Sequence, residues 1–457
     1  MAGIGFRLRK IFEHDTYIDN LRGIIYSASI AGGPIFFSIL CLILLGIFST
    51  TFLSGEEMAI FLVTLVYIFA FSLISTGVTQ LLITRYLSDL IYVDELHRIL
   101  PTFTGVLTIT VICQLIIGLP FLFFWDIDFF YKFTALMLFI TIGCIWQLMI
   151  FLSAVKNYKI VLWAFVFGLT ISFVLALQLG KMYNLTGFLH GYMIGQLVLM
   201  FILLARIFIE FQSKHTPEFD FLQYIRKMPS LLFIGLFYNL GIWIDKIIFW
   251  FSSEGEQIHS ILFAYADYDG ATFFAYLTVI PSYTYFLVKV ETEFYGFFRT
   301  FYYSILNKES YSRIQLRKVN IARSIKESLI GLIKLQGTVT LVCLLFAEKL
   351  AALFHIPIFG TMILEKTIIA VFLQMLLLTV MIFMLYFDIK KEVTIVTSVF
   401  LFSNIALTFL TLFLGYEFYG YGYLFACLIA LVVGYTYLNK HLHELEYHTF
   451  VGQPIAG

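Results

Sequence analysis

Eight polar or charged residues lie in two stretches of the chain that are otherwise strongly apolar. They are Asn239, Asp245 and Lys246 in the first stretch, and Lys289, Glu291, Glu293, Tyr295 and Arg299 in the second. Carboxylates in such surroundings can relay protons, whereas amides, hydroxyls and cations can hydrogen-bond a polar solute that passes them. No member of either group belongs to a recognisable catalytic set, so the sequence predicts a binding or transport role and no enzyme.

The elements that carry these residues are apolar runs long enough to cross a membrane. Hydrophobic residues make up 61% of the chain and charged residues 13%, and the mean hydropathy is +0.93. A helix rises about 1.5 Å per residue, so roughly 20 apolar residues cross a hydrocarbon core of about 30 Å. The sequence therefore predicts an all-α integral membrane protein.

Hydropathy divides the chain into about twelve transmembrane helices separated by short loops. The predicted spans are 24–48, 58–84, 101–124, 132–155, 160–179, 186–209, 230–252, 271–298, 329–347, 367–387, 394–415 and 420–438.

The basic residues orient these spans, because Lys and Arg are retained on the cytoplasmic side during insertion. Of the 29 Lys and Arg residues, the predicted external segments hold only four: Lys132, Lys181, Lys349 and Lys366. The pattern predicts a multi-pass protein of the cytoplasmic (inner) membrane with both the N-terminus and the C-terminus in the cytoplasm.

A hydrophilic segment at 210–229 separates the sixth span from the seventh. It divides the chain into a six-helix bundle at 1–215 and a second six-helix bundle at 216–457. Because six is an even number, both bundles would have the same orientation in the membrane, as in a parallel internal repeat. The sequence predicts a central cavity between them.

Two interpretations fit the polar residues of the seventh span. With about 100° of rotation per residue, Tyr238 and Asp245 fall on one stripe of the helix while Asn239 and Lys246 fall on the next. This polar side either lines a cavity or holds a structural ion pair, formed by Asp245 with Lys246 or with a neighbouring helix.

The eighth span contains its charged residues after Pro281, where a kink is expected. Lys289 and Glu293 share a face at i and i+4 and can form an ion pair. Glu291 points elsewhere and continues a stripe through Tyr295 and Arg299, typical of the wall of a polar passage. The alternative is that these charges simply reach the headgroups on the cytoplasmic side.

Several functions are excluded by what the sequence lacks. It contains no GxxxxGK[ST] phosphate-binding loop, its histidines have no metal-ligand spacing, and its cysteines have no CxxC spacing. Acidic and basic residues balance at 29 each, so no basic surface for nucleic acid is expected. We predict no cofactor, no metal site and no nucleic-acid partner.

Two short motifs resemble the PelG family, the membrane exporter of the Pel exopolysaccharide system. Residues 1–6 read Met-Ala-Gly-Ile-Gly-Phe and are followed by Arg-Leu-Arg-Lys, which is similar to the start of that family. Residues 238–246 read Tyr-Asn-Leu-Gly-Ile-Trp-Ile-Asp-Lys, which is similar to its seventh span. The length and the number of spans fit from end to end.

The resemblance implies a multidrug/oligosaccharidyl-lipid/polysaccharide (MOP) flippase fold, with about twelve transmembrane helices in two six-helix bundles. It further implies that the chain moves a hexosamine-rich polysaccharide across the membrane. A cytoplasmic glycosyltransferase and other membrane subunits of the Pel system would be its partners, and membrane lipid would surround it. An ion-coupled multidrug exporter, a lipid-linked oligosaccharide exporter and a scaffold for a synthase complex remain as alternatives.

Overall fold

The computed structural model describes residues 33–155, 158–211, 213, 216–353 and 358–451. The family-like motif at 1–10 and the basic residues before position 33 lie outside the described residues, as does the side chain of Glu291. The described chain packs as two compact units, with the first ending at Tyr265 and the second beginning at Ala266.

The first unit contains seven α-helices and one hairpin. They are α1 (Gly33–Ser49), α2 (Gly55–Tyr92), a 3-10 turn (Leu96–Arg98), α3 (Ile99–Phe124), α4 (Phe129–Val155), α5 (Tyr158–Glu210), α6 (Leu222–Lys227), α7 (Ser230–Trp250), β1 (Glu256–His259) and β2 (Leu262–Ala264).

The second unit is built from helices alone in the part of it that the structure describes. They are α8 (Ala266–Leu277), α9 (Ile280–Val288), a π-helix (Lys289–Phe294), α10 (Tyr295–Leu306), α11 (Tyr311–Leu345), α12 (Ala347–Leu353), α13 (Ile358–Tyr386), α14 (Lys390–Leu414), a 3-10 turn (Tyr416–Phe418), α15 (Tyr421–His443) and α16 (Leu445–Phe450).

The all-α membrane architecture predicted from the sequence is confirmed. Within the described residues, nine helical stretches are long and apolar enough to cross a membrane. One of them, α5, is interrupted at Tyr183 and Asn184, where the backbone leaves helical geometry and Asn184 has a φ of 51°. This interruption lies between the fifth and sixth predicted spans. The count of twelve spans stays a prediction.

The division into compact units lies at a different point from the predicted bundle boundary. The sequence divides the chain at 215/216, whereas the contacts place α7 and the hairpin with the helices that precede them. The reason is that α7 packs along α2, a span of the first predicted bundle. The two bundles at 1–215 and 216–457 stay a prediction.

Two glycines allow α7 to pack very closely against α2. Gly235 of α7 faces the backbone carbonyl of Gly77 in α2, and a Cβ atom at position 235 would overlap that oxygen. A Cβ atom at position 77 would in turn overlap the side chain of Asn239. Small residues permit such close backbone approach in membranes, where van der Waals packing drives helix association.

Neutral hydrogen bonds also join α2 to its neighbours. The amide of Gln114 in α3 donates to the Ser75 hydroxyl at 3.1 Å. In α4, Trp146 Nε1 donates to the Ser72 hydroxyl at 3.1 Å, and the Gln147 amide donates to the Thr79 hydroxyl at 3.2 Å. Such bonds typically contribute about 0.6 kcal/mol each between membrane helices. Together they hold three helices in one register.

The hairpin is fastened to α2 and α3 through polar contacts. β1 and β2 pair antiparallel. The Tyr67 hydroxyl of α2 donates to the Phe263 carbonyl at 2.9 Å and accepts from the Phe263 amide at 3.2 Å. The Asp126 amide, just after α3, donates to the Ser260 hydroxyl at 3.1 Å. The hairpin therefore belongs to the rigid end of the first unit, and the sequence did not predict it.

Helix α15 packs along both α13 and α14 and forms the centre of the second unit. The hydroxyls of Tyr276 in α8 and Tyr423 in α15 lie 2.7 Å apart. Ser282 in α9 donates to the side-chain carbonyl of Gln336 in α11, and both residues are fully buried. These contacts fix the broken segment α8–α10 to the continuous helices around it.

Arg98 joins the 3-10 turn before α3 to the segment that follows α5. Its guanidinium contacts Glu95 at 3.2 Å, Glu218 at 3.3 Å and Asp220. A planar guanidinium can serve three carboxylates, whereas an ammonium is a single point charge. We expect Arg98→Lys to lower the free energy of unfolding by about 1 kcal/mol, measured by thermal unfolding of the purified protein.

The matched control is Arg85→Lys. Arg85 forms an exposed ion pair with Asp89, which lies one turn later in α2, and Arg85 Nε is 3.2 Å from Asp89 Oδ1. It should change the unfolding temperature less. Equal effects of the two substitutions would show that the contact of Arg98 with three carboxylates stabilises the protein no more than the single Arg85–Asp89 pair does.

Candidate functional site

Asn239 lies at the close contact of α7 with α2. Its side chain is 8% exposed, and its Nδ2 donates to the Gly235 carbonyl one turn earlier at 2.8 Å. The amide is also the group that a Cβ atom at Gly77 would meet. Asn239 therefore contributes to helix packing, and its role in a substrate path stays a proposal.

Asp245 and Lys246 form a buried ion pair two turns further along α7. Asp245 is 0% exposed and Lys246 is 5% exposed. Lys246 Nζ lies 3.3 Å from both carboxylate oxygens, donates to the Ile242 carbonyl at 3.1 Å, and lies 5.7 Å from the centre of the Trp243 ring. Both charges are thus satisfied at close range, as charges buried in a protein must be.

The buried Asp245–Lys246 ion pair fits two roles, one in transport and one in structure. Buried charges in a membrane helix are expensive and usually mark functional positions, and a carboxylate held against an ammonium can exchange its partner for a polar solute. The same contacts also fit the structural ion pair that the sequence left open.

The second group of residues lies where the predicted eighth span is broken. The sequence predicts one span at 271–298, but the structure has α8, α9, the π-helix and α10 in its place. Pro281 lies in the first turn of α9, where its missing N–H and fixed φ are tolerated. The π-helix follows directly, and π-helical turns inside α-helices occur frequently at functional sites.

Lys289 and Glu293 form the ion pair that their spacing predicts. Lys289 Nζ and Glu293 Oε1 are 2.6 Å apart, and the two side chains are 36% and 45% exposed. A pair with this exposure contributes little to stability, so its charges are available to a passing solute. The contact of Lys289 and Glu293 with a transported solute stays a prediction.

Tyr295 and Arg299 lie one turn apart in α10. Tyr295 is half-buried, with its ring centre 6.4 Å from that of Tyr386, and Arg299 is exposed. The predicted stripe from Glu291 to Arg299 assumes α-helical rotation, but Glu291 belongs to the π-helix, whose wider turn changes the face that each residue occupies. Only the part of the stripe within α10 keeps its predicted spacing.

The structure brings the predicted residues together in pairs within each unit. Asp245 contacts Lys246 in the first unit, and Lys289 contacts Glu293 in the second. Among the described residues, no group of three or more His, Cys, Asp or Glu side chains is arranged to hold a metal ion.

Sequence reasoning missed a row of neutral polar residues inside the first unit. Gln114 and Gln147 are each 1% exposed, and the side-chain carbonyl oxygen of each is buried without a hydrogen-bond partner in the described part of the chain. Their amides donate to the hydroxyls of Ser75 and Thr79 in α2. Together with Ser72, which accepts from Trp146 Nε1, these hydroxyls recur at the spacing of one helix face. The spacing of these hydroxyls is visible in the sequence and could have identified this polar row.

Solved structures with the same fold are transporters of the MOP superfamily. One is an outward-facing multidrug resistance MATE family transporter, with a TM-score of 0.66, 13% identity, and coverage of 93% of this chain and 96% of that chain. The Vibrio cholerae MATE transporter VcmN gives a TM-score of 0.66 at 12% identity, covering 97% and 99%. A MOP superfamily transporter from Pyrococcus furiosus gives 0.62 at 12%, covering 93% and 96%.

At these identities the similarity shows the fold, which is that of a multi-pass membrane transporter. None of the curated proteins matches the chain in sequence. The sequence signature of the PelG family, described as "Putative exopolysaccharide Exporter (EPS-E)", matches residues 1–450. The chain therefore belongs to the PelG family, and both its family and its fold are those of transporters and not of enzymes.

Proposed function

We propose that this protein exports a hexosamine-rich exopolysaccharide across the cytoplasmic membrane. The observation that carries the proposal is the family match over residues 1–450. The buried Asp245–Lys246 pair and the partly exposed Lys289–Glu293 pair support it, because polar groups on membrane helices can replace water around sugar hydroxyls.

The candidate residues lie on α7 in the first unit and on the broken segment α8–α10 in the second. Breaks in membrane helices leave backbone groups that are tolerated only where protein or water satisfies them, which is why broken helices are frequent at transport sites. In this proposal the side chains that contact the polymer are Asn239, Asp245, Lys246, Lys289, Glu291, Glu293, Tyr295 and Arg299.

The polymer would be made by a cytoplasmic glycosyltransferase and handed over within a complex that includes other membrane subunits of a Pel-type system. Nearly all of the described residues lie in helices and short loops, which leaves no room among them for a glycosyltransferase domain. The placement of both termini in the cytoplasm rests on the distribution of Lys and Arg.

The test is removal of the chain from its native cell. We expect the hexosamine-containing polymer outside the cells to disappear and sugar polymer to accumulate inside, measured by hexosamine analysis of both fractions after acid hydrolysis. Restoring the chain from a plasmid should restore secretion. Unchanged external polymer in cells without the chain would contradict the proposal.

The MATE-like fold favours a second candidate, an ion-coupled multidrug or lipid-linked oligosaccharide exporter. Expression of the chain alone in a drug-sensitive strain separates the two. Drug resistance without any partner subunit would support drug export, whereas we expect no change in the minimal inhibitory concentrations.

A further inference from the structure

A small cavity lies among α2, α3 and α4 of the first unit, and none of the eight residues discussed above contributes to its lining. Its volume is about 60 Å³, and Phe71, Ile117, Phe121, Leu136 and Phe139 contribute most of an apolar wall. About 10–15 Å³ suffices for one water molecule, but water in an apolar cavity needs two to four polar partners. The space therefore favours an apolar group over several waters.

Thr64, Tyr67, Trp125 and Lys132 contribute polar groups to the same cavity, and the hydroxyls of Thr64 and Tyr67 are already hydrogen-bonded within the protein. Trp125, which follows α3, is 5% exposed, and its buried Nε1 has no hydrogen-bond partner in the described part of the chain. A buried donor left unpaired is destabilising, because it has lost its hydrogen bonds to water. A ligand oxygen that accepted this hydrogen bond would remove the destabilisation.

The next polar group is Lys132, in the first turn of α4. Its Nζ donates to the Leu122 carbonyl at 3.3 Å, and within the described residues no carboxylate lies within ion-pair distance of it. Asp128, nearby in sequence, instead accepts from the backbone amides at the start of α4, from Phe130 at 3.0 Å and from Tyr131 at 3.3 Å. An ammonium beside an apolar cavity selects a ligand that is anionic at one end.

The position of the cavity along the helices suits a lipid. Trp125 and Lys132 flank the short link between α3 and α4, and large aromatic side chains around that link are exposed: Phe123, Phe124, Phe129, Phe130 and Phe133. Tryptophan and other amphipathic side chains at helix ends are typical of the membrane–water interface. Helix ends with such residues are expected at the depth where acyl chains meet their headgroups.

We propose that this cavity binds a membrane phospholipid. A short segment of one acyl chain occupies the apolar cavity, the phosphate contacts Lys132 Nζ, and a phosphate or ester oxygen accepts the hydrogen bond of Trp125 Nε1. A sugar unit is a poorer fit, because its several hydroxyls would meet Phe, Ile and Leu side chains with too few hydrogen-bond partners.

Quenching of tryptophan fluorescence by lipids with dibrominated acyl chains tests the site, since bromine quenches only on contact. The full chain is placed in nanodiscs of phosphatidylcholine with a minor fraction of dibrominated phosphatidylglycerol. Three variants each keep a single tryptophan, at Trp125, Trp146 or Trp163, with the others replaced by Phe. Trp146 is a half-buried control, hydrogen-bonded to Ser72, and Trp163 is an exposed control.

We expect Trp125 to be quenched at lower fractions of the brominated lipid than Trp163, and the half-buried Trp146 to be quenched less than either. Adding Lys132→Gln to the Trp125 variant should lower its preference for the anionic lipid about fivefold and leave Trp163 unchanged. Quenching of Trp125 no stronger than that of Trp146, or no effect of Lys132→Gln, would overturn the proposal.

A second measurement guards against misfolding and against another occupant. Each variant must keep the elution volume and unfolding temperature of the native chain. Lys132→Arg separates charge from shape, because it should retain the preference for the anionic lipid that Lys132→Gln loses. If purified polysaccharide fragments, but not the brominated lipid, change Trp125 emission, the cavity is a sugar site and the lipid assignment is wrong.

Discussion

Asp245→Asn is expected to stop polysaccharide secretion and to reduce the amount of folded protein in the membrane. The substitution removes the carboxylate charge that Lys246 Nζ contacts at 3.3 Å in fully buried surroundings. Breaking a buried ion pair by removing one partner costs about 3–5 kcal/mol, a large fraction of the stability of most proteins. Secretion is measured as external hexosamine, and folded protein as the monodisperse fraction after detergent extraction.

The double variant Asp245→Asn, Lys246→Gln separates a structural role from a transport role. It leaves neither charge buried, so the amount of folded protein should recover toward that of the native chain. If the pair contacts the polymer, secretion stays at least about tenfold below normal, because a lost contact that costs 1.4 kcal/mol already changes a rate tenfold. Recovery of secretion together with folding would show that the pair is structural only.

The control for this series is Glu210→Gln, which removes the partner of Arg206 at the end of α5. That pair is partly exposed, so its loss should change stability by no more than about 1 kcal/mol. Folded protein and secretion should both stay near the native level.

Gly235→Ala is expected to lower the free energy of unfolding by about 1–3 kcal/mol, the usual cost of forcing extra atoms into a packed contact. The added methyl group would overlap the carbonyl oxygen of Gly77, so α7 must move away from α2. The displacement would also disturb Asn239, which is seated against Gly77. Thermal unfolding of the purified protein measures the change.

Gly337→Ala is the matched control, because Gly337 also lies inside a long helix, α11, but a Cβ atom there would meet nothing within 4 Å. Alanine favours helix over glycine by about 1 kcal/mol, so this variant should be as stable as the native chain or more stable. Equal losses in the two variants would mean that helix contact at Gly235 does not limit stability.

The membrane class and the helical architecture could be predicted because hydropathy depends on local composition. Long apolar runs indicate directly that a helix is surrounded by lipid. The i, i+4 spacing of Lys289 and Glu293 was enough to predict their ion pair. The Pro281 break was also foreseeable, since proline cannot continue an α-helix. The π-helix after it was not, because no single residue type dictates a wider helical turn.

Tertiary contacts account for most of what the sequence did not predict. The packing of α7 on α2 depends on Gly77 and Gly235 facing one another, and no local pattern reveals that two distant glycines meet. The hairpin at 256–264 depends in the same way on Tyr67, almost two hundred residues earlier, which bonds to both backbone groups of Phe263. Short connecting segments in membrane proteins take their structure from the helix ends that they cover.

The adjacent opposite charges on α7 also bear on the response of the protein to membrane voltage. Asp245 and Lys246 are the only Asp, Glu, Lys or Arg residues of α7, so with both ionised the helix has no net side-chain charge. Displacing it along the membrane normal then transfers almost no charge through the electric field. An unbalanced unit charge would couple by about 2.3 kcal/mol per 100 mV, so a substitution at only one of the two positions would give α7 an electrical sensitivity that its native sequence avoids.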